Sequence, residues 1–279
     1  MRHRRFLLSL VYPTFCLGLC TPACGKKEQK QTNSSPPSGE NTPKRILLIG
    51  NPEVVLITYN GALRCTGTIL EHGVILTARH CFDNGLERNI ELIGIEIEGI
   101  RSETKLTITG ISSLIFDSGN NDFAWLTYSK ERTSSLKELQ KVTLDRENIP
   151  VEGEQLSLIG YPVTGSGKLV KLVTMPCIRL KRQGQILPLP QDPGYLGTFY
   201  DTNCMAWRGN SGGPLFSMKT GASGLEMNKL VGIVTHTVDL SARGAILETA
   251  LSKDEFGTYV KTVNFSSITA AKDIDLYLK

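Results

Sequence analysis

The sequence predicts an all-β protein, and three observations lead there. Past residue 45 the chain is a succession of short apolar runs rich in β-branched residues, each cut by Gly, Asn, Asp or Pro. Only two stretches show helical periodicity, and both are short. No fixed period of self-similarity marks a solenoid or propeller. With 279 residues, 40% hydrophobic and 21% charged, the chain can bury one large β domain or two small ones. The spacing of its runs fits a barrel or a sandwich.

The chain opens on a basic head of Arg2, His3, Arg4 and Arg5, followed by an apolar run over residues 6–19 that Pro13 interrupts. A run this short does not span a bilayer comfortably and reads as an export signal. The ending Thr21-Pro22-Ala23-Cys24 resembles a bacterial lipoprotein processing site. There a small residue precedes a cysteine whose thiol takes a diacylglycerol. Ala23 suits the small position, whereas Cys20 follows the bulkier Leu19. Residues 1–23 are therefore expected to be a lipoprotein-type signal peptide, with lipidation at Cys24. The plainer alternative is simple secretion. Residues 24–44 are Lys, Gln, Ser, Pro, Asn and Glu with almost nothing apolar, which predicts a flexible linker. Export to the periplasm or cell surface follows. Loss of Arg2, Arg4 and Arg5 with the leader lowers the formal charge of +4 to +1. That balance gives no reason to expect nucleic acid as a partner. The basic stretch 168–182 reads as a solvated loop.

The predicted strands fall at 54–59, 73–77, 90–100, 106–109 and 123–128, then at 155–159, 169–175, 230–235 and 244–248. The two helical candidates are 134–140 and 266–278; in the second, Ile268, Ala271, Ile274 and Leu278 fall along one face. Four cysteines lie in this region, Cys65, Cys81, Cys177 and Cys204. Export and an even count predict two disulfides, with three connectivities open. Cys65 and Cys81 enclose 15 residues that read as a hairpin, which favours that pair. Closing such a loop contributes about 3 kcal/mol in the chain-entropy model. Zinc competes, because His72 and His80 lie between these cysteines, but no C-x-x-C pair is present.

One segment points to chemistry, Gly209-Asn210-Ser211-Gly212-Gly213-Pro214. Three glycines around a serine describe a tight turn that lifts a hydroxyl clear of the backbone. The same turn can aim the N–H groups of Gly209 and Ser211 at one oxyanion. Serine needs a base within hydrogen-bond reach, and the chain has four histidines. His3 is in the leader, His72 sits in a probable hairpin turn, and His236 follows a strand. His80 ends an apolar strand beside Cys81, a setting that would hold an imidazole firmly.

Thr77-Ala78-Arg79-His80-Cys81 resembles the catalytic-histidine segment of the trypsin-like, chymotrypsin-fold serine peptidases. Residues 209–214 resemble their nucleophile segment, Asn121-Asp122-Phe123-Ala124-Trp125-Leu126 their aspartate segment, and Leu230-Val231-Gly232-Ile233-Val234 the strand bordering the substrate pocket. Cys65-Thr66-Gly67-Thr68-Ile69-Leu70 is similar to the strand whose cysteine pairs with the one beside the histidine. The order His, Asp, Ser fits as well, and Asp122 is preferred over the rival acid Asp117, which lacks the apolar sequel that would bury it. The resemblance spans residues 45–279. It implies two six-stranded antiparallel β-barrels, the first at about 45–145 and the second at about 146–265, with a short C-terminal helix at 266–278. It also implies a serine endopeptidase with His80, Asp122 and Ser211 as triad and the Gly209 and Ser211 amides as oxyanion hole. Such an enzyme needs no metal or organic cofactor. It would act as a monomer on protein or peptide substrates, meeting a membrane only through its lipid.

Departures from the family bear on activation and specificity. Many animal members carry Asp before the nucleophile, paired with a freed N-terminal amine; here the residue is Asn210. Lys44-Arg45-Ile46-Leu47 also lacks the usual start, so activity is expected without a cut before Ile46. Met205 lies six residues before Ser211, where Arg- or Lys-cleaving relatives have Asp, and Trp207 replaces a common cysteine. Thr235, His236 and Thr237 would wall the first pocket. A histidine among hydroxyls would favour an acidic side chain, against the plainer alternative that His236 faces solvent. Two other functions compete: a catalytically inactive binding or attachment protein, and an esterase on the same fold. Arg79 is unusual beside the histidine and would crowd the site if it pointed inward.

Overall fold

The computed structural model describes residues 42–48, 51, 53–70, 73–82, 85–98, 105–119, 121–128, 142–167, 170–184, 199–221, 224–235, 251–260, 263–271 and 273–274. The leader, Cys24, most of the linker, His72, His236, Thr237 and the runs predicted at 134–140 and 244–248 lie outside them. Among the described residues the molecule is almost wholly β.

The first sheet contains β2 (Val54–Tyr59), β3 (Ala62–Ile69), β4 (Ile75–Thr77), β5 (Ile93–Glu98), β6 (Lys105–Ile108), β7 (Ile111–Phe116) and β8 (Ala124–Tyr128). Their order is β6-β5-β2-β3-β4-β8-β7. Asn60 and Gly61, both at positive φ (48° and 76°), make the two-residue turn between β2 and β3, the geometry that suits the strands' twist. The two edge strands, β6 and β7, are separated in the chain only by Thr109 and Gly110, with Gly110 at φ 81°. The chain thus leaves one edge and immediately joins the other, so the sheet must curl until its edges meet. β6 and β7 act as one bent strand, the sixth of a barrel.

The second sheet contains β1 (Lys44–Leu47), β9 (Gln155–Gly160), β10 (Leu172–Gly184), β11 (Phe199–Thr202), β12 (Pro214–Gly221), β13 (Gly224–Val234) and β16 (Val263–Ser267). Its order is β1-β10-β11-β16-β13-β12-β9, and β9 also pairs with β10. Six strands therefore form a ring, with β1 added to the first half of β10, Lys44 opposite Met175 and Leu47 opposite Leu172. These are the two six-stranded barrels of the chymotrypsin fold. Val55, Ile57, Ile75, Phe82, Ile95 and Trp125 fill the first barrel and belong to a cluster that continues over Ile159, Val173, Phe216 and Ile233 of the second, whereas Leu156, Leu158, Tyr200, Val234 and Phe265 form a cluster within the second barrel.

Three expectations need correction. Residue 45 does not open the first barrel, because β1 pairs with the second. What draws it there is Arg45, whose guanidinium is bidentate to Asp254 and donates to the Gly257 carbonyl (2.7 Å). It also stacks 4.5 Å from the Tyr259 ring centroid. Asp254 and Gly257 end and start the two strands of a separate hairpin, β14 (Leu251–Asp254) and β15 (Gly257–Val260). Secondly, most of the basic stretch 168–182 is strand β10 rather than a solvated loop. Two of its cations are held by the fold: Lys171, 1% exposed, donates to the Asn51 carbonyl (2.9 Å), and Arg179 lies 4.7 Å from the Tyr200 ring centroid. Thirdly, the helix expected from residue 266 does not begin there. β16 pairs with both β11 and β13 and claims residues 263–267 for their ladders. A single 3-10 turn, Ile268–Ala270, follows, with Ser267 Oγ accepting the Thr269 N–H. Ile268, Ala271 and Ile274 are all buried, and residues 275–279 lie outside the described part.

Candidate active site

β4 and β8 pair with Thr77 opposite Ala124. Just beyond the paired ends come His80, three residues after Thr77, and Asp122, two before Ala124, so antiparallel pairing alone brings them together. β4 runs into a 3-10 turn, Arg79–Phe82, in which Cys81 and Phe82 are buried. Cys81 is bridged to Cys65 of β3, which pins the turn to the barrel wall. The second disulfide joins Cys177 of β10 to Cys204. Both expected bridges are present, and the sulfurs that a zinc site would have used near His80 are bonded to each other.

Asp122 is fully buried, and both its oxygens serve His80. Oδ2 lies 2.7 Å from Nδ1, and Oδ1 accepts the backbone N–H of the same residue at 2.9 Å. A carboxylate on Nδ1 fixes the proton there and leaves Nε2 as an acceptor. The imidazole itself is partly exposed, at 22%. Arg79 does not crowd it, since its guanidinium lies over the Phe116 ring, 4.8 Å from the centroid. Asp117, the rival acid, is buried as well, contrary to the expectation that nothing would cover it. Its oxygens accept from Gly119 N, Asn121 Nδ2 and Asp273 N, which ties the 117–121 turn to the chain's last described residues.

The serine segment comes from the second barrel and is joined to the first by backbone contacts. Thr66 N–H donates to the Ser211 carbonyl (2.8 Å), and Thr66 Oγ1 to that of Gly209 (2.7 Å). Thr77 Oγ1 in turn donates to the Thr66 carbonyl at 2.8 Å. Gly212 is packed so closely that a Cβ there would lie 2.7 Å from Ala78 N, two residues before His80. Ser211, His80 and Asp122 are thus gathered at one seam between the barrels. Among the described residues no hydrogen bond joins Ser211 Oγ to His80; such bonds are often long before substrate binds.

Within the turn, the N–H groups of Asn210, Gly212 and Gly213 donate to Trp207, Val234 and Asn210 carbonyls, respectively. Those of Gly209 and Ser211 donate to no described residue. Gly209 sits at φ 97°, a conformation that glycine adopts without strain. Asn210 is buried, its Oδ1 accepting the Trp207 N–H at 3.0 Å. Of the pocket candidates, Met205 is half-buried, and its carbonyl accepts from Thr174 Oγ1. Thr235 is fully buried, with its N–H on the Asn264 carbonyl. The hub of the seam, Thr66, carried no signal of its own in the sequence, since a threonine in a strand is ordinary.

A double barrel with a histidine–aspartate pair and a glycine-flanked serine at its seam defines the trypsin-like class. The chain belongs to the trypsin family, whose model, described as Trypsin, matches residues 48–249. Similar solved structures include an inactive form of the Rv3671c protease, at 15% identity and TM-score 0.48, covering 77% of this chain and 83% of that one. Another is an inactive serine-to-alanine form of Rv3671c from M. tuberculosis H37Rv, at 15% identity and TM-score 0.48, covering 77% and 81%. No curated protein matches the sequence.

Proposed function

We propose that the protein is an exported serine endopeptidase that forms its acyl-enzyme on Ser211. The observation that carries this is the pair of amides at Gly209 and Ser211, which donate to no described residue, at the seam that also holds a histidine bound to a buried aspartate. In the proposed cycle, His80 Nε2 takes the Ser211 proton as Oγ attacks the scissile carbonyl. The two amides receive the oxyanion, and His80 returns the proton to the leaving amine. Water then repeats the sequence and frees Ser211. Met205, Thr235, His236 and Thr237 are proposed to wall the first pocket.

The enzyme is further proposed to be active without cleavage after Arg45. A cut there would release the strand that Arg45 anchors, and Asn210 offers no charge for a new amine. Labelling by a fluorophosphonate probe tests both points. A chain whose N-terminus is extended and blocked is expected to label, and Ser211→Ala and His80→Ala are expected to abolish the signal. Folded protein that never labels would favour the binding-protein alternative; labelling only after a cut at Arg45 would overturn the activation claim. The two disulfides support an oxidising compartment. Attachment through Cys24 predicts partition into a detergent phase that Cys24→Ser abolishes; partition unchanged in that variant would rule the anchor out.

A further inference from the structure

A cleft of about 410 Å³ lies away from the triad, where the loop before β2 faces β10, β12 and β13. Its apolar wall is Met175, Phe216, Met218 and Met227, and two carboxylates, Glu53 and Glu226, share it. The described lining includes no Lys, Arg or His. Glu53 is 5% exposed. Its Oε1 accepts from Asn51 Nδ2 at 2.8 Å, whereas its Oε2 is buried and has no hydrogen-bond partner among the described residues. The support behind it is rigid. Asn51 is held at φ 53°, with its carbonyl taking both Lys171 Nζ (2.9 Å) and Val54 N–H (3.0 Å).

A buried carboxylate oxygen with no donor is a standing demand for one, and thioethers adapt to varied apolar shapes. Together they suit a ligand with an alkyl stem and a cationic, hydrogen-bonding head. We propose that this cleft binds the arginine or lysine side chain of a peptide, its head on Glu53 Oε2 and its stem across Met175, Met218 and Met227. The cleft would be a second recognition site, remote from the seam, for basic segments of substrate or partner proteins. Charge complementarity favours this occupant over a neutral one, since Glu53 stands in the wall with a carboxylate oxygen that accepts from no described residue.

The chain's five methionines make the test site-specific. Three line the cleft, while Met205 lies just before the nucleophile turn. With methyl-13C-methionine in the full chain, N-acetyl-arginine amide is expected to shift the Met175, Met218 and Met227 signals saturably and leave Met205 in place. N-acetyl-norleucine amide, of similar stem but no charge, is expected to bind about 10-fold more weakly or worse. Glu53→Gln should weaken the arginine probe by a similar factor. Equal affinity for the two probes would overturn the proposal in favour of an apolar occupant. Shifts confined to Met205, or no saturable shift, would also overturn it. Should Glu53→Gln fail to fold, the two-probe comparison on the native chain decides alone. Ser211→Ala is expected to leave the titration unchanged, so failure here is distinguishable from failure of the peptidase proposal.

Discussion

Asp122→Asn is expected to lower turnover about 10⁴-fold with the fold intact, the size of effect seen when this acid is neutralised in the triad template. The geometry gives the reason. Asparagine can still accept the His80 N–H through its carbonyl oxygen, so the turn stays in place. At the other oxygen, 2.7 Å from His80 Nδ1, it presents an NH2 group instead. That donor makes Nδ1 the acceptor and moves the ring proton to Nε2, where it blocks removal of the serine proton. The measurement is acylation rate by a chromogenic ester or phosphonate against pH, with a melting curve beside it. A variant that acylates within about tenfold of the parent would remove Asp122 from the triad and reopen the choice of acid.

Gly212→Ala is the second large effect, and it acts on folding as well as chemistry. A Cβ at this position would lie 2.2 Å from Thr77 Oγ1, 2.4 Å from the Thr66 carbonyl and 2.7 Å from Ala78 N. Two of those three neighbours are backbone, one within β3 and the other just past the end of β4, and neither can step aside singly. The residue also sits at φ 76°, where alanine adds about 1 kcal/mol of strain by itself. Destabilisation of about 4 kcal/mol or more is expected, together with loss of labelling at temperatures where the chain remains folded. Urea denaturation and phosphonate labelling of the same sample separate the two. A variant with unchanged stability would mean that the barrels do not meet as closely as described.

Much of the site was legible in the sequence because chemistry restricts residue types locally. A serine that must stand clear of its backbone needs glycines beside it, and a histidine that must not move is well placed between a strand and a half-cystine. Residues 77–81, 121–126 and 209–214 are each short enough to read without knowing what they touch. The partners that bind them together were not legible. Thr66 supports the serine turn from across the barrel seam, with 143 positions separating it from Gly209, and Arg45 meets Asp254 across 209. No window of local periodicity spans such distances. The last strand was misread for a related reason. Val263–Ser267 is buried on both sides between two neighbours, so it lacks the alternation that marks a half-exposed strand. Ile268, Ala271 and Ile274 are buried as their spacing predicts, but among the described residues only Ile268–Ala270 forms a 3-10 turn, and Ser266 and Ser267 belong to the strand.

The embrace of Arg45 by the β14–β15 hairpin also sets an order of events in time. Arg45 leaves the ribosome among the first residues of the domain, and its counter-charge, Asp254, comes among the last. β16, which closes the second ring between β11 and β13, arrives later still. Ser211 is therefore made before β13 and β16, which complete the ring that carries its turn. A chain interrupted in synthesis after that point holds His80, Asp122 and Ser211 without the complete framework that aligns them. If the chain is the proposed peptidase, hydrolytic competence is the last property it acquires as it is made.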